Sequence, residues 1–220
     1  MYRVLPILEQ AEIEACRRIA ASASFADGRI TNPHNTAKRN EQLHEPDAYR
    51  ESAEMLHRAL VRSEEMRQFV FPVVVAPPLI TRYQPGMGYG AHTDVAYLQI
   101  ASGTIRSDLS CTIFLSHPDS YEGGALHVRL GDASIRFRLL PGEAVIYPSD
   151  TLHEVEPVTR GERLVAITFM QSRIPDPFKR NLLFDLNEVA ALEGLNMKPE
   201  NYTRLQLVQN QLLRFWGEKP

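Results

Sequence analysis

His92, Thr93 and Asp94 set an imidazole and a carboxylate two residues apart. On a β-strand that spacing sends both side chains off one face, so both can reach a single ion. A third ligand has to come from elsewhere in the chain. Two histidines and one carboxylate on one face of an octahedral ion leave three positions open, the arrangement used by non-haem Fe(II) oxygenases, whereas a structural zinc site is closed and tetrahedral. The pattern is weak by itself. With seven histidines and 27 acidic residues among 220 positions, about one His-x-Asp/Glu match is expected by chance.

The context that gives it weight lies downstream, in the stretch from His153 to Phe169. If residues 159–161 form a three-residue hairpin loop with Gly161 in the left-handed position, Val158 pairs with Glu162 and Pro157 with Arg163. His153 then faces the same side as Arg163, Val165 and Ile167. Four strand residues separate the levels of His153 and Arg163, about 13 Å by strand rise. An arginine side chain and a five-carbon diacid together span that gap, which puts Arg163 in position to clamp a distal carboxylate while the other end of the diacid meets a metal. A two-residue loop would reverse the facing.

Three further blocks share the spacing of a known group: Arg82 to Asp94 (RYQPGMGYGAHTD), EGGAL at 122–126 and PGEAVIYPSDTLHEV at 141–155, followed by GERLVAITFMQS at 161–172. Together they resemble the prolyl 4-hydroxylase-like branch of the Fe(II)/2-oxoglutarate-dependent dioxygenases and, more narrowly, the bacterial PKHD-type hydroxylases. The resemblance implies a mainly β fold with flanking helices around a double-stranded β-helix (jelly-roll) core. It implies Fe(II) at His92, Asp94 and His153, 2-oxoglutarate on Arg163, Tyr83 as a hydrogen-bond donor to that co-substrate, and L-ascorbate as the reductant that restores Fe(II). The reaction it implies uses O2, converts 2-oxoglutarate to succinate and CO2, and hydroxylates a small-molecule or peptide substrate. Animal members often carry lysine where this chain has Arg163, an exchange that keeps the cation.

Two other classes remain open at this level: a non-catalytic jelly-roll sensor that binds metal or 2-oxoglutarate, and a zinc hydrolase with the same triad. The spacing of Arg163 argues against the hydrolase, which has no need of a dicarboxylate clamp. His117 and His127 carry no accompanying motif and are read as structural or exposed. Gly86, Gly88 and Gly90 precede no Lys-Ser/Thr and no helix, so a phosphate-cradling loop is not expected. Gly123-Gly124 reads as a tight turn.

The elements that must position these residues follow from periodicity. Helices are predicted over residues 7–21 and 46–68, with Pro46 suited to the first turn. The polar, aperiodic stretch 26–45 between them reads as a long loop and, with residues 99–108, as an element of substrate selectivity. Its Arg29 and Arg39, with Arg106, are read as solvated loop cations. Short apolar and β-branched runs then recur at 70–76, 79–83, 109–115, 125–130, 134–139, 144–147, 153–158 and 163–170, separated by turn clusters. Many short strands at close spacing indicate a sandwich or barrel rather than a parallel sheet. Helical segments return near 183–192 and at 199–216, the latter carrying a stripe of Leu205, Val208, Leu212 and Phe215. That stripe is expected to pack on the domain, with a homodimer contact through the C-terminal helices as the alternative. The chain accordingly divides into an N-terminal helical support region (1–68), a catalytic jelly-roll domain (69–176) and a C-terminal helical segment (177–220).

A net charge of −3 provides no broad positive field for nucleic acid, and 44% hydrophobic composition suits one sizeable core. No apolar run approaches a membrane span, and Glu9, Glu12 and Glu14 interrupt any signal-like N-terminus. Cys16 and Cys111 form no paired motif, which fits a reducing, cytoplasmic setting.

Overall fold

The computed structural model describes residues 1–32 and 35–218; Pro33 and His34, within the segment read as a loop, lie outside the described residues. The chain opens with a strand, β1 (Arg3–Pro6), and a helix, α1 (Gln10–Ser22). The helix begins later than the predicted Ile7 because the amides of Ile7 and Leu8 donate to the carbonyl of Gly142 at 2.9 and 3.1 Å. Glu9 and Glu12 then close a reciprocal capping box at its start.

Where a long loop was expected, the structure has three short strands, β2 (Phe25–Asp27), β3 (Lys38–Arg39) and β4 (Glu41–Leu43). They are too short to show a period, and Lys38, Asn40 and Gln42 are buried polar residues rather than apolar ones, which is why the sequence hides them. The predicted single helix over 46–68 is two: α2 (Pro46–Arg62) and α3 (Glu64–Val70). Ser63 breaks it, adopting an extended backbone with ψ 116° and accepting a cap bond from the Met66 amide.

The remaining strands are β5 (Pro72–Val75), β6 (Leu79–Tyr83), β7 (Gly88–His92), β8 (Tyr97–Ile100), β9 (Gly103–Arg106), β10 (Leu109–Phe114), β11 (Tyr121–Gly123), β12 (Leu126–Leu130), β13 (Ala133–Phe137), β14 (Glu143–Pro148), β15 (His153–Val155), β16 (Val158–Gly161) and β17 (Arg163–Ser172). The chain then forms α4 (Pro177–Glu193), capped by the Asp176 carboxylate, and α5 (Pro199–Trp216). No helix of the described residues is long and apolar enough to cross a membrane.

The strands build two facing antiparallel sheets. The larger runs β1-β14-β10-β17-β6-β4-β2, with β5 also on β17; the smaller runs β13-β12-β15-β7-β3. Thus the first 68 residues are not only helical: β1, β2 and β4 join the larger sheet and β3 the smaller one. Strand alternation sorts the larger sheet's side chains into two cores. Ala144 and Ile146 of β14, with Leu164 and Ala166 of β17, pack toward the helices. Val145, Tyr147 and Val165 point the other way, into the space between the sheets. By the same parity Arg163 falls on the inter-sheet face.

The C-terminal stripe departs from expectation. Helix α5 packs on α4, yet none of its residues is buried, and Phe215 is 84% exposed. The stripe therefore does not pack into the domain core.

Candidate active site

The inter-sheet space holds a cavity of about 1090 Å³ whose walls include His92, Asp94, His153, Arg163 and Tyr83. His92 ends β7 and faces His153 of β15 as its cross-strand partner, with ring centroids 4.2 Å apart. Asp94 is not on a strand, as the two-residue spacing suggested. It lies beyond the end of β7, where its amide donates to the Ser149 carbonyl at 3.2 Å. Ser110 of β10 donates from Oγ to Asp94 Oδ2 at 2.5 Å and lies 2.8 Å from the hydroxyl of Ser149, just past the end of β14, so Ser110, backed by Ser149, aims the carboxylate from the opposite sheet. One ligand atom from each of His92, Asp94 and His153 lies within 4.8 Å of the others.

The tautomers are set by the backbone. Nδ1 of His92 is 2.7 Å from the Gly90 carbonyl and Nδ1 of His153 is 2.9 Å from that of Thr151. A carbonyl only accepts, so each Nδ1 carries the proton and each Nε2 presents a lone pair. Burial, with the neighbouring His153 imidazole, pushes His92 down to about 4 and keeps it neutral, the form that ligates. Burial holds the Asp94 carboxyl above its ordinary range, with His153 and Ser110 opposing it only in part. A divalent ion would decide that balance in favour of the carboxylate.

Arg163 reaches the cavity by a different route from the predicted hairpin. β15 pairs with β12 and β7 in the smaller sheet, whereas Arg163 pairs with Tyr83 of β6 in the larger one. Between them the chain crosses sheets: the Glu156 amide donates to the Ala125 carbonyl, the Val158 amide to that of Met87, and β16 pairs with β11. Pro157 has no amide to offer a hairpin ladder. Gly161 does take the left-handed conformation, at φ 74°, but for the β16–β17 turn, where a Cβ would meet the Ser120 carbonyl oxygen at 2.2 Å.

The guanidinium of Arg163 is 1% exposed, and its Nε and Nη1 have no hydrogen-bond partner among the described residues. It lies 4.9 Å from the Tyr83 ring centre and 5.5 Å from that of Phe114. Tyr83 is held in turn by Asn40, whose Nδ2 donates to the phenol oxygen at 3.0 Å. Burial raises the phenol's pKa, so Tyr83 keeps its proton and can donate it onward. Two imidazoles and a carboxylate suit a first-row divalent ion, and a buried guanidinium without an ion pair suits a carboxylate ligand.

Several supporting residues escaped the sequence reading. Ser110 and Asn40 carry no motif. Gly124, read only as part of a turn, has φ 61°, and a Cβ there would sit 3.1 Å from Arg163 Cδ. The Gly-Gly pair was the available signal. His117 caps a short turn and His127 bonds Glu156 at 2.6 Å, both away from the cavity.

The profile of the 2OG-Fe(II) oxygenase superfamily matches residues 78–171. A PKHD-type hydroxylase of Sphingopyxis alaskensis is 57% identical over 216 residues, covering 98% of this chain and 99% of that one. The chain belongs to the PKHD-type hydroxylase family. A second member, PKHD-type hydroxylase tll1907 of Thermosynechococcus vestitus, is 38% identical over 96% of both chains. Among solved structures, a Pseudomonas putida prolyl-4-hydroxylase superposes with a TM-score of 0.55 at 21% identity, over 77% of this chain and 92% of that one. A prolyl hydroxylase from Trichoplax adhaerens, in complex with a hypoxia inducible factor peptide, reaches 0.58 at 12% identity, over 82% and 86%. At such identities these likenesses speak for the jelly-roll fold alone. This PKHD-type hydroxylase is a 2-oxoglutarate-dependent, Fe(II)-dependent dioxygenase.

Proposed function

We propose that His92, Asp94 and His153 hold Fe(II), and that Arg163 binds the distal carboxylate of 2-oxoglutarate while Tyr83 donates a hydrogen bond to it. The observation that carries this reading is the Arg163 guanidinium, buried in the cavity wall with two unpaired donors and no acid beside it. A charge so placed is costly unless an anion completes it. When bound, iron and 2-oxoglutarate would supply the chemistry of O2 reduction, in which 2-oxoglutarate loses CO2 and takes one oxygen atom to become succinate while the other oxygen enters a C–H bond of the substrate as hydroxyl.

The chain's own residues bind, orient and shield. Gly90 and Thr151 fix the imidazole tautomers; Ser110 and Ser149 aim Asp94; Asn40 turns the Tyr83 proton away from itself. Tyr89 stacks on His92 at 3.5 Å and Tyr147 lies edge-on to His153 at 5.2 Å, which limits water around both imidazoles.

L-ascorbate serves as the reductant that keeps iron ferrous, and the substrate is a small molecule or a peptide. Residues 69–176 form the catalytic unit, supported by 1–68 and 177–220. The protein works in the cytoplasm, and the exposed face of α5 pairs two copies. Phe215 and Val208 of α5, at 84% and 44% exposure, support that last reading.

An anaerobic titration of metal-free protein with Fe(II) and then 2-oxoglutarate tests the site. The visible absorption of the chelate is expected with wild type, to be lost with Arg163→Ala, and iron binding is expected to disappear with His92→Ala or Asp94→Ala. Iron binding without that absorption in wild type would overturn the co-substrate assignment.

A further inference from the structure

Arg163 has a ligand in the reading above; a second buried cation in the same cavity has none. Lys38, on β3, is 6% exposed and shares the cavity wall with His92, Asp94, His153 and Arg163. Its Nζ donates to Thr31 Oγ1 at 2.7 Å and lies 5.7 Å from the centre of the Tyr89 ring, the same ring that stacks on His92. Thr31 is already shared with the Gly28 carbonyl and Gln42. A neutral hydroxyl and a ring face leave most of an ammonium's hydrogen-bonding capacity unused.

No acid forms an ion pair with it among the described residues, Glu54 on the same cavity wall included. Asp94 belongs to the metal in the proposed reading, and Asp27 is held by Arg29 at 2.6 Å. Burial draws the ammonium down to about 8, with Asp94 and Asp27 opposing from a distance. The loop arginines are spent or exposed: Arg29 on Asp27, Arg106 on Asp108 and Glu218, and Arg39 at the surface. In formal charge, Fe(II) and Arg163 are balanced by Asp94 and dianionic 2-oxoglutarate, which leaves the Lys38 charge over. The cavity's about 1090 Å³ exceed what a five-carbon diacid fills, and Leu79, Leu98, Ile100 and Phe169 line its apolar remainder.

We propose that Lys38 anchors a carboxylate of the primary substrate, so that the molecule oxidised is a carboxylic acid with an apolar body rather than a neutral or cationic compound. This rests on the Fe(II) and 2-oxoglutarate reading of the cavity. The anion that completes Lys38 is delivered with the substrate, beside the triad, and sets which end of the molecule faces inward.

The test uses full-length protein loaded with Mn(II), which is redox-quiet, and saturated with 2-oxoglutarate so that Arg163 is occupied. Calorimetric titration compares hexanoate with hexanamide, a pair that differs only in charge and head group. Wild type is expected to bind hexanoate at least about tenfold more tightly, Lys38→Arg to keep that preference, and Lys38→Met to bring the two within about threefold. The affinity of Lys38→Met for 2-oxoglutarate, measured first, is expected to match wild type and shows that the variant is folded with its co-substrate site intact. Absence of a carboxylate preference in wild type, whether both ligands bind or neither does, overturns the proposal, as does an undiminished preference in Lys38→Met. Failure of 2-oxoglutarate itself to bind wild type would instead strike the underlying reading of the cavity.

Discussion

Arg163 and Tyr83 are cross-strand partners at the ends of β17 and β6, and the guanidinium lies 4.9 Å from the phenol ring it faces. The pair puts a cation and a hydroxyl donor side by side without any acid between them. Because no partner is lost, Arg163→Met should leave metal-free protein as stable as wild type or more so, by analogy with buried charges replaced by apolar isosteres. The same change should weaken 2-oxoglutarate binding about a hundredfold, within the range for truncating one member of a buried charge pair. Urea denaturation and calorimetry on the one variant separate these outcomes. A loss of several kcal/mol in stability would mean that the guanidinium is structural.

Ser110 is not itself a metal ligand in the proposed site, but its hydroxyl donates to the ligand Asp94 at Oδ2 over 2.5 Å. Outer residues of this kind typically change metal affinity by about ten- to a hundredfold. Ser110→Ala should therefore weaken Mn(II) binding by about tenfold in an electron paramagnetic resonance titration, with the thermal midpoint of metal-free protein nearly unchanged. Affinity equal to wild type would show that Ser149 and the backbone aim Asp94 unaided.

Gly124 passes the stem of Arg163. An added Cβ would stand 2.8 Å from Val158 Cγ2 and 3.1 Å from Arg163 Cδ, on a backbone at φ 61°. The left-handed conformation costs an L-residue about 1–2 kcal/mol. Gly124→Ala should lower stability by that amount and raise the KM for 2-oxoglutarate while leaving Mn(II) affinity intact. A variant whose metal and co-substrate affinities fall together would indicate collapse of the whole cavity instead.

Lys38 predicts a pH signature in the ligand-free protein. Its folded value, near 8, lies below the 10.5 of a free lysine, so between these values the unfolded chain holds the extra proton. This group's contribution to stability therefore rises with pH across that window, and below about 8 the buried charge is a fixed cost. Lys38→Met should be more stable than wild type at pH 7 by on the order of 1 kcal/mol. The advantage should shrink as pH rises from about 8 toward 10.5, as read by urea denaturation at several pH values. An advantage that is absent at pH 7, or that grows with pH, contradicts the burial of a charged Lys38.

Much of the architecture was legible from local pattern. The run 79–83 became β6 without adjustment, and 109–115, 144–147 and 163–170 fell on β10, β14 and β17 within a few residues. Those strands bury one or both faces, and burial imposes apolar and β-branched residues that a reader can count. The triad His92, Asp94 and His153, and Arg163 with them, were marked by spacing and by the likeness of the surrounding blocks to one family.

What the sequence by itself determined was which residue types stand where along the chain, and hence the strands, the helices and the residues whose chemistry suits metal and diacid. Only the tertiary structure decided how they meet. His153 and Arg163 share a cavity not through a hairpin between them but because their strands lie in opposite sheets, each paired with other partners: His153 with His92, Arg163 with Tyr83. Asp94 converges on the triad through Ser110, backed by Ser149, from across the sandwich, and Lys38 and Asn40 reach the cavity from the two-residue strand β3 and from the link beside it. Contacts of this kind join residues far apart in the chain by hydrogen bonds that any polar side chain of the right reach could make. They leave no period or composition behind, and so they become visible only when the two sheets are folded face to face.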